Sequence, residues 1–358
     1  MSHPCLLFCP YISLPQWLHQ PVEFAVWELG PPRFFEDRWA DARFKEKAKS
    51  FLYKFVGPYS NEEIEPAILS RVGKQLDGQK PSDEELRALE LSLAFASIDR
   101  NPRRRNFEET DNKKQEMRTT ENAELHLWSV GDGNVTINTG YLIPNCIVDA
   151  TANPVMRPPL DLHIPSLAPS PDPQVLTGIY ETVLGSLRSP GENSTADKIR
   201  VAVEWLAKAW TNSQAVQWPE RLVYLKTAFE ALTGTSTSWK SARKLREIFE
   251  ALPHTTDRDS EILVWSPEEE PVHSRTWVDK NGQHQSTHIT DLEHWFIEFG
   301  DARNSIIHNG ELPEATYSGS NPTYSGPFIF TAEFLLRGVI KVLLSELGYE
   351  NAWRPEIW

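Results

Sequence analysis

The chain has 358 residues, 40% of them hydrophobic and 24% charged, which is the composition of a globular protein and enough length for about two domains. A net charge of −14 argues against a general nucleic-acid coat or a polybasic membrane binder, because both need a cationic surface. Three cysteines are too few for a disulfide framework, and no segment resembles a targeting signal or an apolar membrane span, so we expect a cytoplasmic protein without membrane contact.

The beginning of the chain, residues 1–165, predicts a domain of mixed α and β structure. Alternating aromatic and aliphatic residues, interrupted by prolines, predict short strands or an extended edge over residues 6–29. Apolar residues at helical spacing predict a helix over residues 36–56 and a second one over residues 62–76. These elements alone do not define a known fold, so the architecture of this domain stays open.

Two stronger local signals follow in the same domain. A helix is predicted to begin at Ser82 and to run to about Ile98, because Glu85 three residues after the serine completes a capping box. Apolar residues then alternate at a period near two on both sides of the turn at residues 131–134. This pattern predicts a β-hairpin within residues 123–149.

Prolines become frequent between residues 144 and 173, and such a stretch cannot continue a helix or a central strand. We therefore place the domain boundary near residue 165, with the second domain over residues 166–358. The apolar periodicity of that domain predicts an all-α antiparallel bundle, so the fold class of the whole chain is α+β. Its helices are predicted over residues 173–188, 195–211, 219–233, 239–251, 289–308 and 328–348.

The last predicted helix and the long connection at residues 253–288 give two further predictions. Glu333, Arg337 and Lys341 lie four residues apart, which predicts a solvated helix face with modest support from ion pairs. The polar segment 253–288 predicts either a loop or a small hairpin of its own, and its abundance of histidine has no assigned role.

Candidate metal sites are weak in this chain. Cys5 and Cys9 lie four residues apart without a second pair, so we interpret them as buried thiols. His284 and His288, with His294 farther along, have the spacing of ligands on one helix face, but the polar run around them predicts a loop. Because no cysteine or tight acidic cluster completes a ligand set, we predict no metal and no cofactor.

The helix predicted over residues 289–308 carries Arg303, Asn304 and His308 near its end. Five residues rotate by about 140° along a helix, so Arg303 and His308 flank a ridge and do not stack on one strip. Arginine can clamp a phosphate, asparagine can donate to a phosphate oxygen or orient the imidazole, and histidine can transfer protons near neutral pH. These groups suffice for RNA cleavage without a metal, although an arginine and a histidine near a helix end are also common surface or capping groups.

The segment RNSIIHNG (303–310) resembles the hallmark motif of HEPN domains, in which four to six residues separate an arginine from a histidine. The flanking helices agree with this resemblance. ERLVYLKTAFEALTG (220–234) and KIRVAVEWLAKAW (198–210) are similar to the preceding helices of these families, and LEHWFIEFGDARNSIIHNG (292–310) is similar to the motif helix. The arrangement over about residues 173–348 most resembles the Apea-like HEPN branch, a C-terminal domain of bacterial defence and stress proteins.

The resemblance implies that Arg303 and His308 are catalytic and that Asn304 is the adjacent polar helper. It also implies a supporting role for Glu230, since an acid at this place can contact the motif arginine or histidine in related families, although Glu230 could equally be a surface acid or a structural partner. Members of the superfamily pair two motifs in one cleft, which implies a homodimer through the C-terminal helical domain. The implied activity is an endoribonuclease that leaves a 2′,3′-cyclic phosphate and a 5′-hydroxyl.

Two departures from the family pattern bear on the geometry of the site. Asn309 follows the histidine and precedes Gly310, where the branch often has glycine directly after the histidine. Gly300 stands where the family often has tyrosine before the arginine. Neither departure removes a catalytic group, so both concern the shape of the site.

RNA is the expected partner of the C-terminal domain. Residues 198–250 contain nine bases and five acids in a chain that is acidic overall, and we expect Lys226, Arg243 and Lys244 to contact RNA, although ordinary solvated helix faces would show the same excess. The resemblance further implies a role in phage defence or toxin-like growth arrest. The N-terminal domain would then bind a trigger or an inhibitor.

Two other functions remain open at this stage. The chain could be a HEPN module that has kept its fold but not its activity, and that binds RNA, a nucleotide or a protein partner. It could also be a helical assembly domain in which the motif only ends a helix. The RNA substrate cannot be predicted from these residues.

Overall fold

The computed structural model describes residues 5–9, 14, 18–39, 42–52, 66–76, 81–100, 126–131, 134–139, 146–148, 173–209, 218–250, 273–279, 281–310 and 328–349. Helices and antiparallel strands both occur in this part of the chain, which is the predicted α+β class. No helix there combines the length and the apolar character that crossing a membrane requires.

Residue contacts divide the chain into two compact units. Unit 1 comprises Met1–Asn193 with Trp210–Ser213, and unit 2 comprises Ser194–Ala209 with Gln214–Trp358. The division falls after Asn193, whereas the boundary predicted near residue 165 lies outside the described residues.

Unit 1 contains a seven-stranded antiparallel sheet in the order β2-β3-β4-β1-β5-β6-β7. The first strand is central, with Leu7 opposite Leu69 on one side and Leu127 on the other. The strands are β1 Cys5–Cys9, β2 Val22–Phe24, β3 Trp27–Gly30, β4 Ala67–Arg71, β5 His126–Gly131, β6 Asn134–Thr139 and β7 Cys146–Val148.

Helices complete unit 1 and enclose its core. They are a 3-10 helix Pro32–Arg38, α1 Ala42–Leu52, α2 Asp83–Arg100 and α3 Pro173–Arg188. A buried cluster joins the sheet to the 3-10 helix and α1, and its members are Leu6, Phe8, Phe35, Phe44, Ala48, Leu52, Ile68 and Leu76. Helix α3 packs on α2 and β2, and the ring of Tyr180 meets Phe24 edge-on at 6.5 Å between ring centroids. We predicted this helix as the first of the second domain, but by its contacts it belongs to unit 1.

Several predictions for this unit are confirmed. The strands over residues 6–29 are present, and the hairpin pairs Gly131 with Asn134. Helix α2 begins with the predicted capping box: the Glu85 N–H donates to Ser82 Oγ at 3.2 Å, and the Ser82 N–H donates to Glu85 Oε2 at 2.9 Å. Cys9 is a buried thiol, as predicted.

The helix predicted over residues 62–76 is wrong, because Ala67–Arg71 is strand β4 between β1 and β3. Four consecutive residues from Ala67 to Ser70 are buried, so both faces of this strand are covered. A short apolar run that is buried on both faces has no period of two, and its pattern cannot be separated from that of a buried helix. The helix predicted over residues 36–56 is present in part, since the 3-10 helix precedes α1.

Unit 2 contains five helices and one hairpin among the described residues, and the helix predictions there are confirmed with small shifts at the ends. The elements are α4 Ser194–Ala209, α5 Trp218–Thr233, α6 Ser238–Glu250, β8 His273–Val278, β9 His284–Ile289, α7 Asp291–Asn309 and α8 Phe328–Glu346. The hairpin β8–β9 is the second of the two alternatives predicted for residues 253–288, of which residues 253–272 lie outside the described residues.

An aromatic cluster holds α5, α7 and α8 together in the core of unit 2. The ring of Phe229 on α5 meets Phe296 edge-on at 5.0 Å between ring centroids and Phe299 at 6.2 Å. On α7 itself, Trp295 stacks on Phe299 at 4.9 Å, and Phe328 of α8 lies 5.8 Å from Phe299. Aromatic rings in such edge-on and offset arrangements add to the free energy gained by burial alone. This cluster fixes α7 against α5, one turn before Arg303.

The solvated face predicted on α8 is wrong. Glu333, Arg337 and Lys341 are only 1%, 3% and 7% exposed. Helix α8 contacts α4, α5 and α6, and the Arg337 Nε lies 3.5 Å from the Glu333 Oε1. The i,i+4 spacing that we interpreted as a solvent-facing row places the arginine beside a carboxylate, which lets both charges be buried together.

Candidate functional site

The motif lies at the end of helix α7, whose two termini are both well defined. At the start, the Thr290 side chain and Glu293 form a reciprocal capping box. At the end, Gly310 adopts a left-handed conformation with φ of 70°, and its N–H donates to the Ile306 carbonyl at 3.0 Å. Because glycine accepts a positive φ without strain, Asn309 can remain the last helical residue and Gly310 can end the helix. The first departure from the family pattern thus extends α7 by one residue beyond His308.

Arg303 is half-buried in the last two turns of α7. Its Nη1 donates to the Oδ1 of Asn304 at 3.1 Å. Its Nε is shielded from solvent and has no hydrogen-bond partner among the described residues. The structure therefore brings Arg303 and Asn304 together, and the guanidinium contacts a neutral amide.

An ion pair on α5, of which the lysine is buried and the glutamate half-buried, faces this part of α7. Lys226 is only 1% exposed, and its ammonium donates to the Glu230 carboxylate at 3.2 Å. Burial lowers the pKa of the Lys226 ammonium below the ordinary lysine value; Glu230 opposes this effect, and the nearby positive charge of Arg303 reinforces it. Lys226 thus lies within the electrostatic field of both Glu230 and Arg303.

Gly300 explains how α7 can approach α5 and α6 so closely. A Cβ atom built at this position would overlap the Ser238 hydroxyl and would lie 3.6 Å from the Lys226 Cε. The second departure from the family pattern is therefore a packing requirement, since Gly300 leaves the space that Ser238 and Lys226 occupy. A tyrosine could not replace this glycine with the neighbouring side chains in their present places.

His308 lies on the exposed side of the same helix end, next to Ile307, which is 47% exposed. Its imidazole is accessible to a ligand from solvent. Within the described part of the chain, no hydrogen bond links His308 to Arg303, Asn304 or Glu230. The structure therefore brings Arg303 and Asn304 into contact and places His308 five residues farther along the helix, where the negative end of the helix dipole favours a positive charge.

The residues predicted to contact RNA are all engaged within unit 2. Arg243 pairs with Glu293 at 2.6 Å, and its guanidinium lies over the Trp239 ring at 4.7 Å. The Lys244 ammonium donates to the Thr233 carbonyl at 2.7 Å, where it satisfies the end of α5. Arg243 and Lys244 remain exposed. Lys226 is buried inside the protein, so its position differs from the surface position that the predicted RNA contact requires.

Two features of this site escaped the sequence analysis. The pairing of Lys226 with Glu230 carries an i,i+4 signal, but this signal does not reveal burial. The close approach of Gly300 to Ser238 joins residues far apart in the chain and leaves no local pattern. The sequence left three roles open for Glu230, namely support of the motif, a surface acid and a structural partner, and its observed partner is Lys226.

The histidines of the hairpin occupy a strand, where we predicted a loop. His284 and His288 lie on the exposed face of β9, opposite Val278 and Ser274 of β8. His294 stacks on His273 at 4.2 Å between ring centroids. Among the described residues, no group of three or more histidine, cysteine, aspartate or glutamate side chains is placed to hold a metal ion.

Comparisons of this chain with protein-family models, with curated proteins and with solved structures find no match.

Proposed function

We propose that unit 2 is a HEPN-type endoribonuclease that cleaves RNA without a metal ion. The observation that carries this proposal is the arrangement at the end of α7. There an arginine without a carboxylate partner among the described residues lies beside a neutral amide, and an exposed histidine follows the arginine by about one and a half turns of the helix. A cationic site with an accessible histidine suits a phosphodiester substrate.

In the proposed reaction, the His308 imidazole removes the proton from a ribose 2′-hydroxyl, and the 2′-oxygen attacks the adjacent phosphorus. The bond from phosphorus to the 5′-oxygen breaks, and that oxygen takes a proton from a second imidazolium. The products are a 2′,3′-cyclic phosphate and a 5′-hydroxyl. Arg303 binds the non-bridging phosphate oxygens, where negative charge grows in the transition state.

The two proton transfers explain why the proposal includes a homodimer. One chain supplies one His308, so a second copy would place the second histidine at the same phosphate. Sedimentation equilibrium should find a dimer under the conditions of cleavage. A monomer that cleaves RNA would remove the second histidine from the mechanism.

The N-terminal part of the chain completes the proposal. An endoribonuclease endangers its own cell, so we assign unit 1 the binding of a trigger or an inhibitor, in phage defence or growth arrest. The proposal for unit 1 depends on the activity of unit 2 and is tested after it.

The test is cleavage of total RNA in EDTA with mapping of the product ends. His308→Ala should lower the cleavage rate by about 10²–10⁴-fold, since this is the usual effect of removing a general acid or base. His284→Ala is the matched control, because it removes an exposed histidine from β9 and should leave the rate unchanged. Equal rates for wild type and His308→Ala would contradict the proposal. RNA binding by wild type without any cleavage would favour the inactive binding module.

A further inference from the structure

The hairpin β8–β9 lies along helix α7, and two contacts fix its direction. The imidazole of His273, the first residue of β8, stacks on His294 in the first turn of α7 at 4.2 Å between ring centroids. Farther along, partial removal from water raises the pKa of the Asp301 carboxyl, and the nearby positive charge of Arg275 opposes this rise. Because the later strand residue lies near the later helix residue, β8 and α7 run in the same direction.

One face of this hairpin is turned toward α7. Side chains two residues apart on a strand share one face, and on β8 His273 and Arg275 are half-buried while Ser274 between them is exposed. Trp277 is the next residue on the face of His273 and Arg275, and the strand register pairs it with Gln285. Unlike the two residues before it, Trp277 is 42% exposed.

The strip of α7 that the hairpin follows ends at His308. His294, Asp301 and His308 are seven residues apart, which is close to two turns, so they share one side of the helix. From His273 to Trp277, β8 spans about 13 Å, and about nine residues of α7 span the same distance. Counted from His294, this distance ends at the level of Arg303. Trp277 therefore lies level with the motif, on the side of α7 that carries His308.

The indole ring of Trp277 differs from those of two other tryptophans near the surface of unit 2. The Lys208 ammonium lies over the Trp205 ring at 4.3 Å, and the Arg243 guanidinium lies over the Trp239 ring at 4.7 Å. Within the part of the chain that the structure describes, no ring and no cation stacks on Trp277. Accessible aromatic rings beside cationic groups are the means by which proteins hold the bases of single-stranded nucleic acids.

We propose that Trp277 stacks on a base of single-stranded RNA and so holds the adjacent phosphate at the end of α7, beside Arg303 and His308. This inference rests on the proposed function for the identity of its ligand. An RNA base suits this place better than a protein surface, because Val278, the neighbouring exposed apolar residue, lies on the opposite face of β8, and the two do not form one apolar patch.

The charges along α7 set the direction in which the RNA leaves Trp277. Glu298 and Asp301 lie toward the middle of the helix, and each raises the cost of a phosphate there. Arg303 and His308 lie toward its end, where a phosphate is favoured. The nucleotide that follows the stacked base therefore lies at the motif.

The test measures binding of short fluorescent single-stranded RNAs whose 2′-hydroxyls are replaced by hydrogen, so that none can be cleaved. One RNA is intact, and each of the others lacks the base at one position. Trp277→Ala should bind the intact RNA about 5–150-fold more weakly than wild type, which is the usual effect of removing one stacked base. Wild type should lose the same factor when the stacked base is absent, whereas Trp277→Ala should not respond to that change.

Two further variants serve as controls. Trp277→Phe keeps an aromatic ring and should retain most of the affinity for the intact RNA. Val278→Ala changes the neighbouring exposed residue on the other face of β8 and should bind as wild type does.

The binding assay separates this inference from the proposed cleavage. The predicted coupling between Trp277 and one base, in a protein that does not cleave RNA, would support the inference while the proposed nuclease fails. Equal affinities of wild type and Trp277→Ala for the intact RNA would overturn the inference even if the protein cleaves RNA, and so would a wild type that binds none of the RNAs. A loss in Trp277→Ala that is equal for all RNAs would overturn it as well. If that variant also sedimented as a smaller species than wild type, Trp277 would belong to a contact with a second copy of the chain.

Discussion

Two arginines, one in each unit, use their hydrogen-bond donors in opposite ways. In unit 1, Arg38 directs Nη1 to the Glu28 carboxylate, Nη2 to Ser70 Oγ at 3.0 Å and to the Arg71 carbonyl at 2.8 Å, and Nε to the Lys74 carbonyl at 2.8 Å. Every nitrogen of that guanidinium donates to the protein. The Arg38 side chain therefore joins the 3-10 helix to β3, β4 and the turn after β4.

Arg303 in unit 2 has one described hydrogen bond, to a neutral amide, and an Nε without a described partner. An arginine carries five N–H donors in a rigid fork, so the Nη donors of Arg303 that the protein does not use are available to a ligand, whereas its Nε is shielded from solvent. The difference between the two residues separates a structural arginine from a candidate binding arginine without any appeal to family membership. Three pairs of substitutions compare the two units, and the first pair tests this contrast directly.

The largest effect is expected at the two arginines themselves. Arg38→Ala leaves the Glu28 side chain, which is 7% exposed, without its cation, and should lower the stability of unit 1 by about 3 kcal/mol. Arg303→Ala should change the stability of unit 2 by less than about 1 kcal/mol, because it removes one exposed bond to an amide. Hydrogen exchange measures the local stability of each unit separately. For Arg38→Ala it is followed in β3 and β4, and for Arg303→Ala in α7.

Arg38→Ala/Glu28→Gln is the control for the first substitution, because it removes the unpaired carboxylate and should recover part of the protection. A loss of protection in α7 equal to that in the strands would show that Arg303 is structural too. In that case the contrast would fail together with the argument that the Arg303 donors are available.

Much of the fold could be predicted from the sequence where the signals are local. Helix α3 was predicted with the observed ends, since this 16-residue segment begins at the last proline of a dense stretch and carries one apolar stripe. The box at Ser82 and Glu85 fixed the start of α2 in the same way. Strand β4 was missed because it is buried between β1 and β3, and neither of these strands is its neighbour in the chain.

The candidate site shows the same limit at the level of single side chains. Arg303, Asn304 and His308 were found because they share one short motif. The states of Lys226 and of the α8 charges depend on helices that meet only after folding, and charged residues at i,i+4 are predicted as solvated unless burial is known. Gly300 was recorded as a departure from a pattern, and only the position of Ser238 gives it a reason.

The next effect concerns two helical glycines with opposite surroundings. Gly300→Ala places a Cβ against Ser238 and should destabilise unit 2 by about 1–3 kcal/mol through overpacking. Gly185→Ala in α3 meets no atom within 4 Å and should stabilise unit 1 by about 0.5–1 kcal/mol, because alanine favours the helix. Urea denaturation measures both changes in the free energy of unfolding, and hydrogen exchange in α3 and in α7 assigns each change to its unit. Ser238→Ala should relieve part of the Gly300→Ala penalty, and the absence of relief would assign the penalty to a different contact.

The smallest effect distinguishes two capping boxes of the same design. Thr290 is 3% exposed and Ser82 is exposed, yet each accepts from the N–H three residues ahead at 3.2 Å. Water can replace the hydroxyl only at Ser82, so Thr290→Ala should cost about 1–2 kcal/mol and Ser82→Ala about 0.5–1 kcal/mol. Hydrogen exchange in the first turn of α7 and of α2 compares them, and Thr290→Ser, which keeps the hydroxyl, should restore most of the protection.

The Thr290 box also tests whether the two ends of α7 act independently. It lies about 20 Å along the helix axis from Arg303, and the aromatic cluster of Trp295, Phe296 and Phe299 lies between them. Because that cluster anchors the helix against α5, opening the first turn should leave the geometry of the last two turns intact. Thr290→Ala should therefore lose protection at the start of α7, while its affinity for a single-stranded RNA whose 2′-hydroxyls are replaced by hydrogen, and which cannot be cleaved, stays that of wild type. An affinity that falls in step with the protection would mean that α7 moves as one body. Arg303 would then be held by the whole helix and not by the local packing of Gly300 against Ser238 and Lys226.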